Sequence, residues 1–306
     1  MTEGVATLAS DTKTAAEIRG ALDTKGLRAD DLSVVGIRPS LATYIAELWA
    51  RRHFIWMDAQ HRVLSQNSRN RLGSVWLLLR PLLDAAFYFL IFGLVLNVKR
   101  EGIDNYGAYI IIGVLMFRAT ATSVTSSPNA LVSGKAMIRA FSFPRAAIPI
   151  SAVLRDGLQM VWAVGAMLLM IAVIPPHEYP RFTWLLIIPL LALQWCLNLG
   201  LTFILARVGF RFPDTTQLMS FVSRVLMYGS GVIFPIDQML THPVAQAVIE
   251  ANPIFQMLRM YRQVLMEGTL PPAESWMILG GWAGGLLLFG FLYFWHGEAS
   301  YGDEQQ

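Results

Sequence analysis

Six long apolar stretches lie between Gly73 and Trp295 of this 306-residue chain. Each runs for about 18 to 25 residues, the length that an α-helix needs to cross roughly 30 Å of hydrocarbon. Only 15% of the residues are charged, whereas a typical soluble domain carries about 25%. The sequence therefore predicts an all-α, multi-pass membrane protein whose function depends on six spans and the loops between them.

The six predicted spans cover residues 73–97, 106–124, 146–174, 184–206, 216–235 and 276–295. Lys and Arg residues are more numerous near the span ends that share a side with the region before span one. Because positive charge collects on the cytoplasmic side of a membrane, this bias predicts cytoplasmic termini. Residues 1–38 are then a flexible cytosolic arm, and residues 297–306 are a cytosolic tail.

An amphipathic helix is predicted within residues 39–72, before span one. Its apolar residues recur at helical spacing, and Ser40 stands where an N-cap is expected. One interpretation is an interface helix that lies along the membrane with its tryptophans at headgroup depth. The alternative is a soluble amphipathic helix packed on a partner. The residues assigned to this interface helix are Tyr44, Leu48, Trp49, Arg51, Ile55 and Trp56.

Two connections between spans have structure of their own. The cytosolic loop before span three contains an amphipathic segment at 131–141, within residues 128–142. The outer connection, residues 236–275, predicts two short helices broken at Asn252-Pro253. Both helices are too short to cross, so the pattern indicates a re-entrant hairpin that enters the membrane partway, where protein or water must cover its irregular backbone.

The sequence contains no catalytic or metal-binding pattern that we recognise. It lacks the GxxxxGK[ST] phosphate loop and any HExxH or Cys/His cluster, and Ser133 and Ser142 have no nearby histidine base. This pattern disfavours an enzyme without excluding one, and we expect no metal and no cofactor on this chain. The net charge is +3 and the basic residues flank the spans, which indicates anionic lipid rather than nucleic acid as the partner.

Charged residues inside the predicted spans are costly and commonly mark a pathway. Arg80 and Asp84 lie one turn apart in span one and can pair. Either the arginines within spans snorkel to the cytoplasmic interface, or they line an inner vestibule that attracts an anion such as a lipid pyrophosphate. The in-span charges concerned are Arg80, Asp84, Arg118, Arg155, Asp156 and Arg224.

Four aromatic residues, Phe87, Tyr88, Phe89 and Phe92, stand in the middle of span one. They cannot all face lipid, so some are expected to line a lumen and stack on sugars; ordinary helix packing is the alternative. In span six, overlapping small-xxx-small pairs permit close contact with another helix. These residues are Gly280, Gly281, Gly284 and Gly285.

The order of these parts resembles the permease subunit of ABC-type polysaccharide exporters, from about residue 40 to the end. That family includes exporters of O-antigen, teichoic acid, capsule and galactan. Three strings carry the resemblance: residues 72–76 followed by Pro81-Leu82, residues 143–145 followed by 148–151, and Asn252-Pro253 followed by Tyr261-Arg262. The sequence departs from the family in its long polar arm and at residues 211–214.

The resemblance implies a transport subunit rather than an enzyme. It implies a homodimer that binds two separate ATP-binding subunits, which would hold the ATP and Mg²⁺. It also implies a lipid-linked glycan substrate that leaves the cytoplasm across the bacterial inner membrane. Arg62, Arg69 and Arg71 would then hold the anionic head of the lipid, or simply anchor the chain. The ATPase would contact the interface helix and a coupling helix that contains Lys135, Ala136, Met137, Ile138, Arg139 and Phe141.

Two other functions remain open at this stage. A drug or small-lipid exporter of related architecture would use the same kind of ATPase. A polytopic membrane transferase would act without one, but such enzymes usually carry a His, Asp or Glu cluster at a membrane face, and the sequence shows none.

Overall fold

A computed structural model describes residues 40–65, 71–91, 105–134, 143–173, 177–236 and 242–298, with positions 103, 175 and 301. The elements within these ranges are helices. The predictions for residues 1–38, Arg69, Phe92 and the segment Lys135 to Phe141 lie outside them. Five helical segments in the described part are long and apolar enough to cross a membrane, namely Gly73–Ile91, Tyr106–Ser133, Ala147–Val173, Phe182–Arg211 and Ala273–His296. The prediction of an all-α chain with several membrane-crossing helices is confirmed.

Two helices precede the first span, where the sequence predicted one. Helix α1 is Leu41–Ala50 and α2 is Arg52–Ser65, with a turn at Arg51 between them. Ser40 caps α1 as predicted, because its hydroxyl accepts the Thr43 N–H at 3.2 Å. The predicted apolar face is divided by this turn. Tyr44 and Ile55 are buried in the protein, whereas Trp49 and Trp56 are exposed.

The bundle is built around one central helix. Its members are α3 (Trp76–Tyr88), α4 (Tyr106–Ser126), α5 (Ala147–Val173), α6 (Ile187–Arg211) and α10 (Ala273–His296). The span that contains α4 has 72% of the residues in its most apolar stretch buried. For the span that contains α3, the corresponding share is only 6%. Helix α4 therefore forms the core, while α3 packs on its outside and leaves most of its own surface uncovered.

Helices α6 and α10 approach each other closely at two glycines. A Cβ atom added to Gly290 would lie 2.4 Å from the carbonyl oxygen of Gly200, so both positions need glycine for the backbones to meet. The predicted glycine stripe of α10 does not make this contact. Added Cβ atoms at Gly280 and Gly284 would meet no atom of the described chain within 4 Å.

The segment predicted as the fifth span forms a shorter helix than expected. Helix α7, Thr215–Gly229, has 15 residues and a length of about 22 Å, less than the thickness of the hydrocarbon core. It ends at Ser230, and Gly231 then adopts a left-handed backbone with φ of 65°. For this reason the segment is not among the five helices that are long enough to cross.

The outer connection folds as the two predicted short helices, α8 (Pro243–Glu250) and α9 (Pro253–Arg262). Asn252 caps α9 by accepting the Ile254 N–H at 2.9 Å. The chain continues as a π-helical turn, Gln263–Glu267, and leaves it through Gly268 at φ of 68°. Eight of the 10 residues of α9 are buried, so this helix is inserted among the others rather than lying on them.

Candidate functional site

A cavity of about 790 Å³ lies between α3, α4 and α5. Trp76, Leu77, Leu115 and Met160 form apolar walls, and the charged lining consists of Arg71, Arg80, Arg118 and Asp156. Thus three guanidinium groups and one carboxylate face the same space. Positive charge in such an apolar setting attracts an anion far more strongly than it would in water.

The ion pairs around this cavity differ from those expected. Asp84 does not pair with Arg80 along α3; it forms a salt bridge to Arg118 on the neighbouring helix α4. Arg80 lies near enough to Arg118 for their like charges to interact. On α5, Arg155 pairs with Asp156 at 2.7 Å. Arg118, one of the in-span arginines for which the sequence left a vestibule role open, thus lines the cavity while it pairs with a carboxylate of another helix.

A smaller pocket of about 250 Å³ is also lined by Asp156. Its lining is rich in small polar groups, because the end of α4 and its extension place several hydroxyls there. The polar lining residues are Ser126, Ser127, Asn129, Ser133, Thr202, Arg155 and Asp156. The two spaces therefore place charged and polar groups on both α4 and α5.

The other predicted arginines occupy different places. Arg62 is engaged on α2 itself, where its side chain pairs with Asp58 at 2.9 Å. Arg224 is exposed on α7. The structure describes two of the three arginines before span one, Arg62 and Arg71. Of these two, Arg71 lines the cavity.

The aromatic residues of span one point in different directions. Phe87 is exposed. Tyr88 packs on the cluster of Tyr106, Tyr109 and Ile110 at the other end of the bundle. Phe89 packs on the main core. Within the described chain these three rings therefore do not form one stacking surface.

The outer hairpin is held by buried polar contacts. The guanidinium of Arg262 lies 3.4 Å from the Tyr109 ring centroid and donates to the Val232 carbonyl at 2.8 Å. The Tyr261 hydroxyl donates to Gln194 Oε1 at 3.1 Å, and Gln194 in turn donates to the Met116 carbonyl at 2.8 Å. The predicted hairpin residues Tyr261 and Arg262 thus connect α9 to α4 and α6.

The sequence did not reveal the residues that donate hydrogen bonds to the end of the hairpin. A π-helical turn leaves carbonyls that need donors. Side chains before and at the start of span four supply them: Arg181 donates to Glu267, Thr183 to Val264 and Trp184 to Leu265. These partners are more than 80 positions apart in the chain, so no local pattern could have revealed them.

Burial perturbs the side chains at the opposite end of the bundle. Glu298, just after α10, is enclosed there, and burial raises its pKa above the usual range of a glutamate. Backbone and side-chain hydrogen bonds from Arg145 and Tyr44 act in the opposite direction. The same burial raises the pKa of the Tyr44 and Tyr301 hydroxyls, so both tyrosines stay neutral.

Residues 59–266 match the ABC-2 type transporter family. The chain belongs to the ABC-2 type transporter family. The match runs from α2 to the end of the outer hairpin and so includes every wall of the cavity. Members of this family are the membrane subunits of transporters that work with ABC-type ATP-binding subunits, and this ABC-2 permease is accordingly a multi-pass transport subunit.

The ABC-2 permease is similar to curated proteins named O-antigen export system permease protein RfbA. One from Klebsiella pneumoniae is 28% identical over 200 residues, covering 65% of this chain and 74% of the relative. One from Myxococcus xanthus is 23% identical over 235 residues, covering 77% of this chain and 88% of the relative. The resemblance to polysaccharide-exporter permeases is confirmed.

Proposed function

We propose that this chain is the membrane subunit of an ATP-driven exporter that moves a lipid-linked polysaccharide out of the cytoplasm across the inner membrane. The O-antigen export function in the names of its relatives supports this class of cargo. The observation that carries the proposal is the cavity lined by Arg71, Arg80 and Arg118. ATP and Mg²⁺ are bound by a separate ATPase, since this sequence has no phosphate loop.

The cavity suits the head of a lipid carrier for two reasons. Guanidinium groups donate paired hydrogen bonds to phosphate oxygens, and these charge-assisted bonds are among the strongest in proteins. Its apolar walls offer a surface to the first units of a hydrocarbon chain. Arg118 pairs with Asp84, so a pyrophosphate would compete with that carboxylate for the same guanidinium.

We propose six crossings, with α7 completing the fifth through the turn that follows it. Helix α7 contacts the inner extension of α4, Ser127–Asn129. Beyond α7, the carbonyls of Gly231 and Ile233 accept hydrogen bonds from Tyr109 and Tyr106, near the outer start of α4. Contacts at both ends of α4 support a segment that traverses the bundle although its helix is short.

Cytoplasmic termini agree with this even number of crossings. Helix α1 meets residues beyond α10 at one end of the bundle, where Tyr44, Phe294 and Tyr301 belong to the same cluster. The exposed Trp49 and Trp56 would then lie at the cytoplasmic membrane interface, with the ATPase beside them.

We propose a homodimer whose seam includes α3 and α7, two of the helices that pack on α4. Helix α7 buries only Thr215 among its residues. One stripe of its surface exposes Leu218, Phe221, Val225 and Tyr228. A second copy of the chain would cover these exposed surfaces. The polar groups near the seam would then face the conduit, and we include Arg155 and Arg224 among them.

The re-entrant position of the hairpin is supported by the depth of its partners. Gln194 and Met116 lie about 10 and 15 Å along α6 and α4 from the first residues of those helices. Because Tyr261 is hydrogen-bonded to Gln194, the end of α9 would stand well inside the membrane and close the outer side of the conduit.

The cavity is tested by lipid-head binding to the permease in nanodiscs. The signal is the change in tryptophan fluorescence that disappears when the lining residue is replaced, as Trp76→Phe. The probes are a polyprenyl pyrophosphate and the matching polyprenyl alcohol. Replacing Arg71, Arg80 and Arg118 by Gln should weaken pyrophosphate binding by more than about tenfold, because each hydrogen bond to a charged group contributes ~1.5–3 kcal/mol. Binding of the alcohol should not change.

Arg211→Gln is the matched control, since Arg211 is an exposed arginine outside the cavity. It should bind both lipids like the unmodified permease. Equal binding of pyrophosphate and alcohol, or an equal loss in the control, would contradict the assignment. A preference for amphiphilic drugs over either lipid would support the drug-exporter alternative instead.

A further inference from the structure

A buried carboxylate lies just beyond the last span. Glu298 is 8% exposed. One of its carboxylate oxygens accepts the Tyr44 hydroxyl at 2.7 Å and the other accepts the Arg145 backbone N–H at 2.9 Å. The Arg145 guanidinium also donates to the Glu298 carbonyl. A buried acidic side chain needs such partners, because losing one leaves an expensive unpaired group.

Tyr44 completes the network from the other side. Its side chain is fully buried in α1, and its hydroxyl accepts the Ala146 N–H at 3.0 Å while it donates to Glu298. Its ring lies 6.1 Å from that of Phe291 on α10. Three parts of the chain therefore meet at two side chains: α1, the start of α5 and the residues that follow α10.

Two of these three parts lie at or next to the predicted contacts with the ATPase. Helix α1 is the predicted interface helix, and residues 145–146 follow the predicted coupling segment 131–141 closely in sequence. Both predicted contacts with the ATPase thus lead to the same carboxylate. That carboxylate directly follows α10, which packs closely on α6 at Gly200 and Gly290.

We propose that Tyr44 and Glu298 form a joint that makes α1, the start of α5 and the end of α10 move as one body when the ATPase changes conformation. The proposal rests on the proposed function, which supplies the ATPase. Both are positioning residues, because they act on the helices and touch no substrate. If one of these helices moved alone, the movement would leave the Glu298 carboxylate or the Tyr44 hydroxyl without its buried partner.

The joint is tested by distances between spin labels in the full complex of permease and ATPase. The labels are attached in a Cys196→Ser background at Trp49→Cys on α1 and Leu292→Cys on α10, both exposed sites. A reference pair joins Trp49→Cys to Leu83→Cys on α3. On addition of Mg²⁺ and a non-hydrolysable ATP analogue, the reference distance should change while the distance from α1 to α10 stays constant.

Tyr44→Phe removes the hydroxyl and should let the distance from α1 to α10 change with nucleotide; Glu298→Ala should do the same. Tyr301→Phe is the matched control, because it removes another buried hydroxyl at this end that donates to Phe294 at 3.0 Å. It should behave like the unmodified permease. ATP hydrolysed per glycan exported should rise roughly fivefold or more in Tyr44→Phe, and not in the control.

Two results would overturn the joint. One is a distance from α1 to α10 that changes with nucleotide in the unmodified permease. The other is a distance that stays as constant in Tyr44→Phe as in the unmodified permease. If no ATPase associates with the chain, the proposed function fails. The joint is then judged on the permease alone, where the distribution of distances from α1 to α10 should be broader in Tyr44→Phe. An equal width in the two proteins would overturn the joint in that case too.

Discussion

Replacing Gly113 by alanine should loosen the outer hairpin from the bundle. Gly113 lies on α4, where the turn after α7 and the end of α9 both approach it. An added Cβ would stand 2.3 Å from the Val232 carbonyl oxygen and 2.5 Å from a terminal guanidinium nitrogen of Arg262. These atoms are themselves hydrogen-bonded at 2.8 Å, so the methyl group would force them apart.

The size of the effect follows from three contributions. Overpacking a tight site costs about 1–3 kcal/mol, and the lost bond from a charged donor adds about 1.5–3 kcal/mol. The better helix propensity of alanine returns about 1 kcal/mol. We therefore expect Gly113→Ala to lower the free energy of unfolding by roughly 1.5–5 kcal/mol.

The control is Gly165→Ala on α5, where an added Cβ meets no described atom within 4 Å. It gains the helix propensity without a clash and should be neutral or more stable. Both variants can be unfolded in dodecyl maltoside by increasing SDS, with tryptophan fluorescence as the signal. Hydrogen exchange should also speed up in α9 for Gly113→Ala alone. Equal unfolding free energies in the two variants would refute this account of the hairpin.

Two further predictions concern the buried polar groups. Gln194→Leu should remove the partner of the Tyr261 hydroxyl. The double variant with Tyr261→Phe should then lose less unfolding free energy than the two single variants together, which a double-mutant cycle measures. Strictly additive losses would contradict the contact. Burial raises the pKa of Glu298, so the folded state binds its proton more tightly than the unfolded state does. The stability of the unmodified chain relative to Glu298→Gln should therefore fall as the pH rises above the usual glutamate pKa. A difference in thermal midpoint that does not change with pH would contradict this prediction.

Much of the fold could be predicted because it depends on local patterns. The length of an apolar run indicates a crossing helix, and Ser40 and Asn252-Pro253 mark helix boundaries through their own chemistry. The fifth span was harder, because Gly231 allows a left-handed turn that ends α7 before the apolar run is complete. A hydropathy pattern does not distinguish a helix from a helix followed by a buried turn.

The candidate site could be predicted only in part. The charges of Arg71 and Arg80 suggested an anion pathway, yet the sequence could not show that Asp84 pairs with Arg118 on another helix. Tyr44 and Glu298 are 254 positions apart, and only the packing of α1 against α10 brings them together. The glycines of α10 show the same limit, since Gly290 makes the close contact while the more conspicuous stripe does not.

The most direct test of the central claim is translocation by the reconstituted complex. The permease and its ATPase would be placed in proteoliposomes that contain lipid-linked glycan from the membranes of the native host. Exposure of the glycan on the far side would be followed by periodate oxidation. The account predicts transport that requires ATP and is lost when Arg71, Arg80 and Arg118 are replaced by Gln. Glycan that crosses without ATP or the ATPase, or ATP hydrolysis with no glycan crossing, would contradict it.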